Sequence, residues 1–173
     1  MPPPAGSAAR GEASTPSVAG ELERALGIAF AYLNRRERSS EEMRLRLQRE
    51  ELQSGAVDAA LERLTEQGYL DDARYARLFA QDKRELEDWG EERIRRSLRA
   101  RGIERELIEA AVREEEGSGE RGRAIGLLQR RFPLPPSPGR ERERAFAMLI
   151  RKGYDSEIAA EAVAAHAREQ ATP

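Results

Sequence analysis

Two groups of residues in this chain have types and spacing that could support chemistry. Gly117, Gly119 and Gly122 match the GxGxxG pattern with which dinucleotide-binding proteins approach a pyrophosphate. That pattern requires a preceding β-strand, whereas here it follows the acidic, helix-forming segment 113–116, whose carboxylates would repel phosphate. We therefore interpret residues 117–122 as a flexible linker between helical units and expect no nucleotide cofactor.

The second group is the adjacent carboxylates Asp71 and Asp72, which could act in acid–base catalysis or bind a metal. Adjacent residues of a helix do not face each other, and no partner ligand is evident nearby. Their position before a helix-forming segment favours capping by Asp71 and a favourable N-terminal charge from Asp72. The one histidine, His166, lies in an Ala-rich C-terminal helix, where we expect it to provide a favourable charge near the helix end.

The composition excludes several further classes of site. With no cysteine and a single histidine, the chain has no disulfide, no thiolate nucleophile and no His-pair metal site. No apolar run approaches the roughly 18 residues that a membrane span needs, and no secretion signal is visible at the N-terminus. We therefore expect a cytoplasmic protein that is not an enzyme, with no catalytic residues, no cofactor, no bound metal and no membrane contact.

The elements that must position the remaining side chains are helical. Val, Ile and Thr total only 14 residues, and no alternating apolar run of the strand type appears. From Glu21 onward the apolar residues follow helical periodicity, so the predicted fold class is all-α. Of residues 1–20, 15 are small residues or helix breakers, and we predict that this tail is disordered.

An internal repeat of 51 residues organises these helices. The period links Leu47, Leu98 and Leu149. It also links Leu52, Ile103 and Tyr154, and the pairs Ala60-Leu61, Ala111-Val112 and Ala162-Val163. A constant period over three copies indicates stacked helical units. Gly102 and Gly153 occupy the turn within the second and third copies, where a left-handed residue is favourable, whereas Glu51 in the first copy predicts a different turn.

The repeat predicts three tandem three-helix units that form an elongated or crescent-shaped molecule. The units cover residues 21–70, 71–117 and 118–169, after the tail at 1–20. The predicted helices are 22–36, 40–50, 54–67, 72–87, 91–101, 104–116, 119–132, 140–152 and 155–168. A stiff proline-rich loop at 133–138 separates the first two helices of the third unit. Three thin bundles need less interior than one globule, which explains why only 18% of the residues are Leu, Ile, Val or Phe.

The charge pattern suggests a surface for a protein partner. The chain has 30 basic and 32 acidic residues, yet residues 91–102 and 130–144 each carry a net charge of +3 and residues 104–120 carry −5. A charge run is most often a solvated helix face. A net charge of −2 makes direct DNA binding the weaker functional interpretation, and patches of both signs suit the surface of another protein.

The candidate binding residues follow from helix geometry. On the helix at 91–101, three arginines project from the side opposite the apolar stripe that contains Ile94 and Leu98. The second basic cluster adds two more arginines at the start of the helix at 140–152. The candidate partner-binding residues are Arg95, Arg96, Arg99, Arg140 and Arg144.

Three segments resemble motifs of the RecX family of regulatory proteins. Arg38–Leu47 is similar to the family's RS-x-x-EL-R-x-K-L opening, and Glu66–Ala76 resembles its central G-Y-L-D-D-x-x-F/Y-A motif. Arg93–Ile103 resembles its R-I-x-x-x-L-x-x-K-G-I segment. The resemblance runs over about residues 25–168. It departs from the family at Glu51, where the family usually has Gly, and in the proline-rich loop.

The resemblance implies a tandem three-helix fold and a regulator that is not an enzyme. RecX proteins bind the RecA recombinase and its filament on single-stranded DNA, lie in the groove of the filament, and restrain ATP hydrolysis, strand exchange and coprotease activity. By this resemblance the chain inhibits RecA and so regulates DNA repair, homologous recombination and the SOS response. The alternatives are a direct single-stranded DNA-binding helical module and a helical scaffold for a partner other than RecA. We expect a monomer, with at most weak direct contact with DNA.

Overall fold

The structure is a computed structural model that describes residues 18–113 and 119–168. Within these residues all regular secondary structure is helical, which confirms the predicted all-α class. The helices are α1 (Val18–Leu33), α2 (Ser40–Gln48), α3 (Ser54–Glu66), α4 (Asp72–Glu87), α5 (Glu91–Arg99), α6 (Arg105–Arg113), α7 (Gly119–Arg131), α8 (Arg140–Lys152) and α9 (Ser156–Arg168).

Two predicted boundaries need correction. Helix α1 begins at Val18, so residues 18–20 of the predicted tail are helical, and residues 1–17 lie outside the described part of the chain. Helix α7 begins at Gly119, so the last four residues of the predicted linker at 117–122 are also helical, and its first two residues are not described. Both helices carry a glutamate in the first turn that accepts a main-chain hydrogen bond from the start of a middle or last helix, at Gln53 for Glu21 and at Glu91 for Glu120.

Three clusters of buried side chains form the interior, one for each group of three helices. They extend from Ala25 to Leu70, from Tyr75 to Val112 and from Ala124 to Val163. We call α1–α3 the first unit, α4–α6 the second and α7–α9 the third. In each unit the first and third helices pack against each other most extensively, and the middle helix packs mainly against the third.

The 51-residue period corresponds to equivalent positions in the three cores. Leu47, Leu98 and Leu149 are each fully buried on the middle helix of their unit. The Ala-Leu and Ala-Val pairs of the last helices are buried as well, at Ala60-Leu61, Ala111-Val112 and Ala162-Val163. The repeat found in the sequence is therefore a repeat of packing positions.

The turn after the middle helix contains a left-handed residue in all three units, but the predicted difference of the first turn is present in its hydrogen bonds. The Ile103 and Tyr154 amides donate to the Leu98 and Leu149 carbonyls, and the described residues show no equivalent bond from Leu52 to Leu47. The backbone φ is 56° at Glu51, 73° at Gly102 and 89° at Gly153. A left-handed residue costs roughly 1–2 kcal/mol when it carries a Cβ. The packing that the repeat imposes holds Glu51 in this conformation despite that cost.

The two aspartates at the start of α4 act as the sequence indicates. Asp71 is the N-cap, and its carboxylate accepts a hydrogen bond from the Arg74 amide at 2.8 Å. Asp72 lies in the first turn and has a further role, because its Oδ1 accepts a hydrogen bond from the Ser40 amide of the first unit at 2.8 Å. The pair therefore caps two helices, one in each unit.

The contact between the second and third units repeats the contact between the first and second. The Ser39 hydroxyl donates to the Arg101 carbonyl at 2.8 Å, and the Gly90 amide donates to the Lys152 carbonyl at 2.9 Å. Each bond joins the N-cap of a middle helix to the end of the next unit's middle helix, 62 residues along the chain.

A second bond of each contact also repeats. At the first contact the Ser40 amide donates to Asp72, and at the second contact the Glu91 amide donates to Glu120 Oε1 at 2.8 Å. In both cases the first residue of a middle helix meets a first-turn acid of the following unit. The units therefore stack in series by one repeated geometry, which agrees with the predicted tandem arrangement.

Candidate partner-binding surface

The three arginines of helix α5 that the sequence predicts to bind a partner differ in their surroundings. Ile94 and Leu98 are fully buried, as the apolar stripe predicts. Arg95, however, lies between three carboxylates, with ion-pair distances of 2.8 Å to Glu91, 3.0 Å to Glu92 and 3.2 Å to Glu109.

This arrangement assigns Arg95 a structural role. Burial alone would lower the pKa of its guanidinium, but the charges of Glu91 and Glu109 outweigh that effect and raise it. Since Glu109 lies on α6, the arginine ties α5 to α6. The expectation that Arg95 projects freely beside its neighbours therefore needs correction: intramolecular carboxylates occupy its hydrogen-bonding groups.

Arg96 and Arg99 are the two α5 arginines that remain available. Both side chains are exposed, and neither forms an ion pair with any residue in the described ranges. Helix α5 buries the opposite face, so these two guanidinium groups face solvent.

The other two candidates, Arg140 and Arg144, line a groove on α8. The groove has a volume of about 720 Å³. Arg131 at the end of α7 and Arg151 near the end of α8 also line it, together with the single acid Glu143. The helix positions 140, 144, 147, 148 and 151 lie on one face, so the arginines surround an apolar floor. The floor residues are Phe132, Ala147 and Met148.

The opposite face of α8 and the loop before it hold this groove in place. Ala145 and Leu149 are fully buried in the third core. His166 on α9 is also buried, and its Nε2 lies 2.8 Å from the carbonyl of Phe132, the residue that precedes the proline-rich loop. His166 lies in the last turn of α9, as the sequence predicts, and it has a further role: its contact with Phe132 fixes the start of the loop from inside the core.

The contact between the second and third units contains a partly buried charge cluster that sequence periodicity does not reveal. Burial raises the pKa of the Glu120 carboxyl, although the Glu91 amide partly offsets this. Burial, together with the nearby Arg84, lowers the pKa of Arg123. Burial also raises the pKa of Tyr154 to about 12. The cluster belongs to the contact between the units, because its members come from α4, α5, α7 and the turn after α8.

Other kinds of site find no support in the described ranges. No group of three or more His, Asp or Glu residues is arranged to hold a metal ion there. The described residues of the GxGxxG pattern, 119–122, form the first turn of α7, and the described segment before them is helix α6 instead of the strand that dinucleotide binding requires. None of the helices in these ranges is long and apolar enough to span a membrane.

Comparisons with known proteins identify the repeated units. A family model described as "RecX, first three-helix domain" matches residues 25–64, and one described as "RecX, second three-helix domain" matches residues 71–112. These ranges coincide with most of the first and second units.

Relatives that align with most of the chain belong to the same family. "Regulatory protein RecX" of Deinococcus radiodurans is 34% identical over 80% of this chain and 66% of its own length. The protein of the same name from Xanthomonas campestris pv. campestris is 33% identical over 78% of this chain and 80% of its own length. The protein of this name from Mycobacterium marinum is 31% identical over 83% of this chain and 84% of its own length.

A solved structure supports the fold. The crystal structure of RecX from Lactobacillus salivarius superposes with a TM-score of 0.75 and covers 86% of this chain and 97% of its own, at 18% identity. The tandem helical fold is therefore shared over nearly the whole of that chain.

Proposed function

The chain belongs to the RecX family of regulatory proteins, and from this premise we propose that it binds RecA and its filament on single-stranded DNA and inhibits RecA. Curated relatives that span most of the chain are named regulatory proteins, a role that involves no catalysis. The activities restrained are strand exchange, ATP hydrolysis and coprotease function. The chain acts as a cytoplasmic monomer that regulates DNA repair and recombination.

The observation that carries this proposal is the match of two successive units to the two RecX three-helix domains. The surface is consistent with protein binding, because exposed arginines lie on α5 and α8, while many other charged side chains form ion pairs within the chain. Arg96, Arg99, Arg140 and Arg144 are the residues that we propose for contact with RecA.

The test is the DNA-dependent ATPase of RecA from the same organism, titrated with this chain. We expect inhibition by the wild-type protein, and weaker inhibition after Arg96→Glu and Arg99→Glu because charge reversal disrupts complementary contacts. Arg95 is left intact, since its reversal would break the α5–α6 tie. Arg105→Glu with Arg168→Glu, which reverses two exposed charges on α6 and α9, is the matched control. Wild-type protein that leaves the ATPase unchanged would contradict the proposal.

A second candidate function, direct binding to single-stranded DNA, is favoured by the four arginines of the α8 groove. It predicts strong binding to the oligonucleotide alone, with an affinity that falls steeply as salt rises. Fluorescence anisotropy of a labelled oligonucleotide, with and without RecA, separates the two functions. RecA inhibition predicts that tight binding of this chain requires RecA on the oligonucleotide.

A further inference from the structure

The α8 groove includes the third-unit equivalents of two positions that, in the first two units, contact the turn of the following unit. In the 51-residue repeat, position 41 of the first unit is equivalent to positions 92 and 143, and position 42 is equivalent to positions 93 and 144. Glu41 lies against Gly102, in the turn of the second unit, and Arg93 lies against Gly153, in the turn of the third. The equivalent residues on α8, Glu143 and Arg144, line the groove.

The occupant at both internal surfaces has a defined shape. It is the turn after a helix, and its main-chain carbonyls accept hydrogen bonds from the facing helix start: Arg101 from Ser39, and Lys152 from Gly90. Its left-handed residue is glycine in both cases. A Cβ there would overlap the facing helix, so a side chain cannot be accommodated without movement.

We propose that the α8 groove binds a glycine-containing, acidic turn at the C-terminal end of a helix in the partner protein. The shape follows from the two internal copies. The acidic character follows from the groove itself, where four arginines face one glutamate. The carbonyls at such a helix end also carry partial negative charge, which suits the same arginines. In the described ranges no segment of the chain occupies the groove.

A second copy of this chain does not fit. The turn that would dock in the same geometry is that of the first unit, where the left-handed residue is Glu51 instead of glycine. In such a docked copy the Glu51 side chain would take the place of the hydrogen atom that Gly102 and Gly153 have there, and it would overlap the facing helix. Glu51 thus prevents head-to-tail stacking of copies through this surface.

The identity of the partner rests on the proposed function, so RecA–single-stranded DNA filaments are the probe. Because the chain has no cysteine, Ala147→Cys places a unique thiol on the floor of the groove for a benzophenone label. Ala110→Cys, at an exposed position of α6, is the control. We expect photocross-links from position 147 to a RecA peptide that holds a glycine and acidic residues at a helix end, and none to that peptide from position 110.

Charge reversal provides an independent readout. Arg140→Glu with Arg144→Glu should raise the concentration needed for half-inhibition of the RecA ATPase about tenfold or more. Arg105→Glu with Arg168→Glu makes the same change in net charge at exposed positions outside the groove. This control should change the concentration needed for half-inhibition by less than about twofold.

The outcomes separate the two proposals. If the wild-type chain inhibits RecA but the α8 variant inhibits equally well, the groove proposal fails alone. Cross-links to DNA, or a loss of oligonucleotide binding by the α8 variant without RecA, would mean that the groove binds nucleic acid. Cross-links to a second copy would overturn the steric role of Glu51. If the wild-type chain has no effect on RecA, the proposed function fails and the groove proposal with it.

Discussion

Gly153 packs directly against the side chain of Arg93, and this contact sets the spacing between the second and third units. The glycine has a φ of 89°, and a Cβ at this position would overlap both the backbone and the Cβ of Arg93. The same close approach allows the Glu92 amide to donate to the Gly153 carbonyl at 3.1 Å. Glycine is therefore required here for its conformation and for its lack of a side chain.

Gly153→Ala should destabilise the protein by about 3 kcal/mol or more, because the left-handed backbone and the overlap with Arg93 both oppose a Cβ. Gly68→Ala is the matched control: its φ is 74°, but a Cβ there meets nothing within 4 Å. That variant should lose only about 1 kcal/mol. Urea unfolding monitored by circular dichroism measures both. Equal losses would show that the contact with Arg93 adds nothing.

The Ser39 hydroxyl has two partners, and substitution can separate them. It accepts from the Glu42 amide within α2 at 3.1 Å and donates to the Arg101 carbonyl of the second unit. Ser39→Ala should cost about 2 kcal/mol, since both bonds are lost from a fully buried side chain. Ser39→Asp keeps an acceptor for Glu42 but places a carboxylate oxygen against a carbonyl.

We therefore expect Ser39→Asp to be at least as unstable as Ser39→Ala in the same urea titration. If the aspartate variant matched wild type, the cap alone would matter and the bond between the units would contribute nothing. Ser54→Ala, an exposed serine at the start of α3, controls for the loss of a hydroxyl.

Most of the fold follows from short-range signals in the sequence. Apolar spacing predicts the helices, Asp71 marks the start of α4, and the period through Leu47, Leu98 and Leu149 identifies equivalent core positions. These signals are local or periodic, so the sequence contains them directly. The beginning of α1 was less predictable, because Glu21 accepts a bond from the Gln53 amide, 32 residues away.

The binding surface was predictable only in part. Helix geometry identifies the arginines that leave the core face, but it does not show which carboxylate each one meets. Arg95 illustrates the difficulty: Glu91 and Glu92 are visible as helix neighbours, whereas Glu109 comes from another helix. The α8 groove likewise depends on Phe132 and Arg131, whose position is fixed by packing of α7 and by His166.

Glu51→Gly should stabilise the chain by about 0.5–1 kcal/mol, because glycine adopts the left-handed conformation that Glu51 holds under strain. Glu51→Ala is the control, since it removes the charge but keeps the Cβ, and it should bring no gain. The midpoint of urea unfolding measures both variants. A gain in the alanine variant equal to that in the glycine variant would mean that the carboxylate, and not the backbone, is the source of strain.

Glu120 makes stability depend on pH in a predictable direction. Since burial raises the pKa of its carboxyl, the folded state favours the protonated form. The stabilisation from protonation is complete below the ordinary pKa of glutamic acid and is lost as the pH rises through the raised value. At pH 7 the ionised side chain therefore opposes folding relative to a neutral group of the same shape.

Glu120→Gln removes this ionisation while it keeps an oxygen to accept the Glu91 amide. We expect the variant to exceed wild type by about 2 °C in melting temperature at pH 7, and the difference to shrink as the pH falls toward about 4. Glu62→Gln, at an exposed position of α3, is the control and should not show this pH-dependent difference. A melting temperature of Glu120→Gln that lies below wild type at pH 7 and recovers at low pH would show the reverse. Arg95 and the Glu91 amide would then stabilise the carboxylate more than burial opposes it, and the contact between the second and third units would depend on that charge.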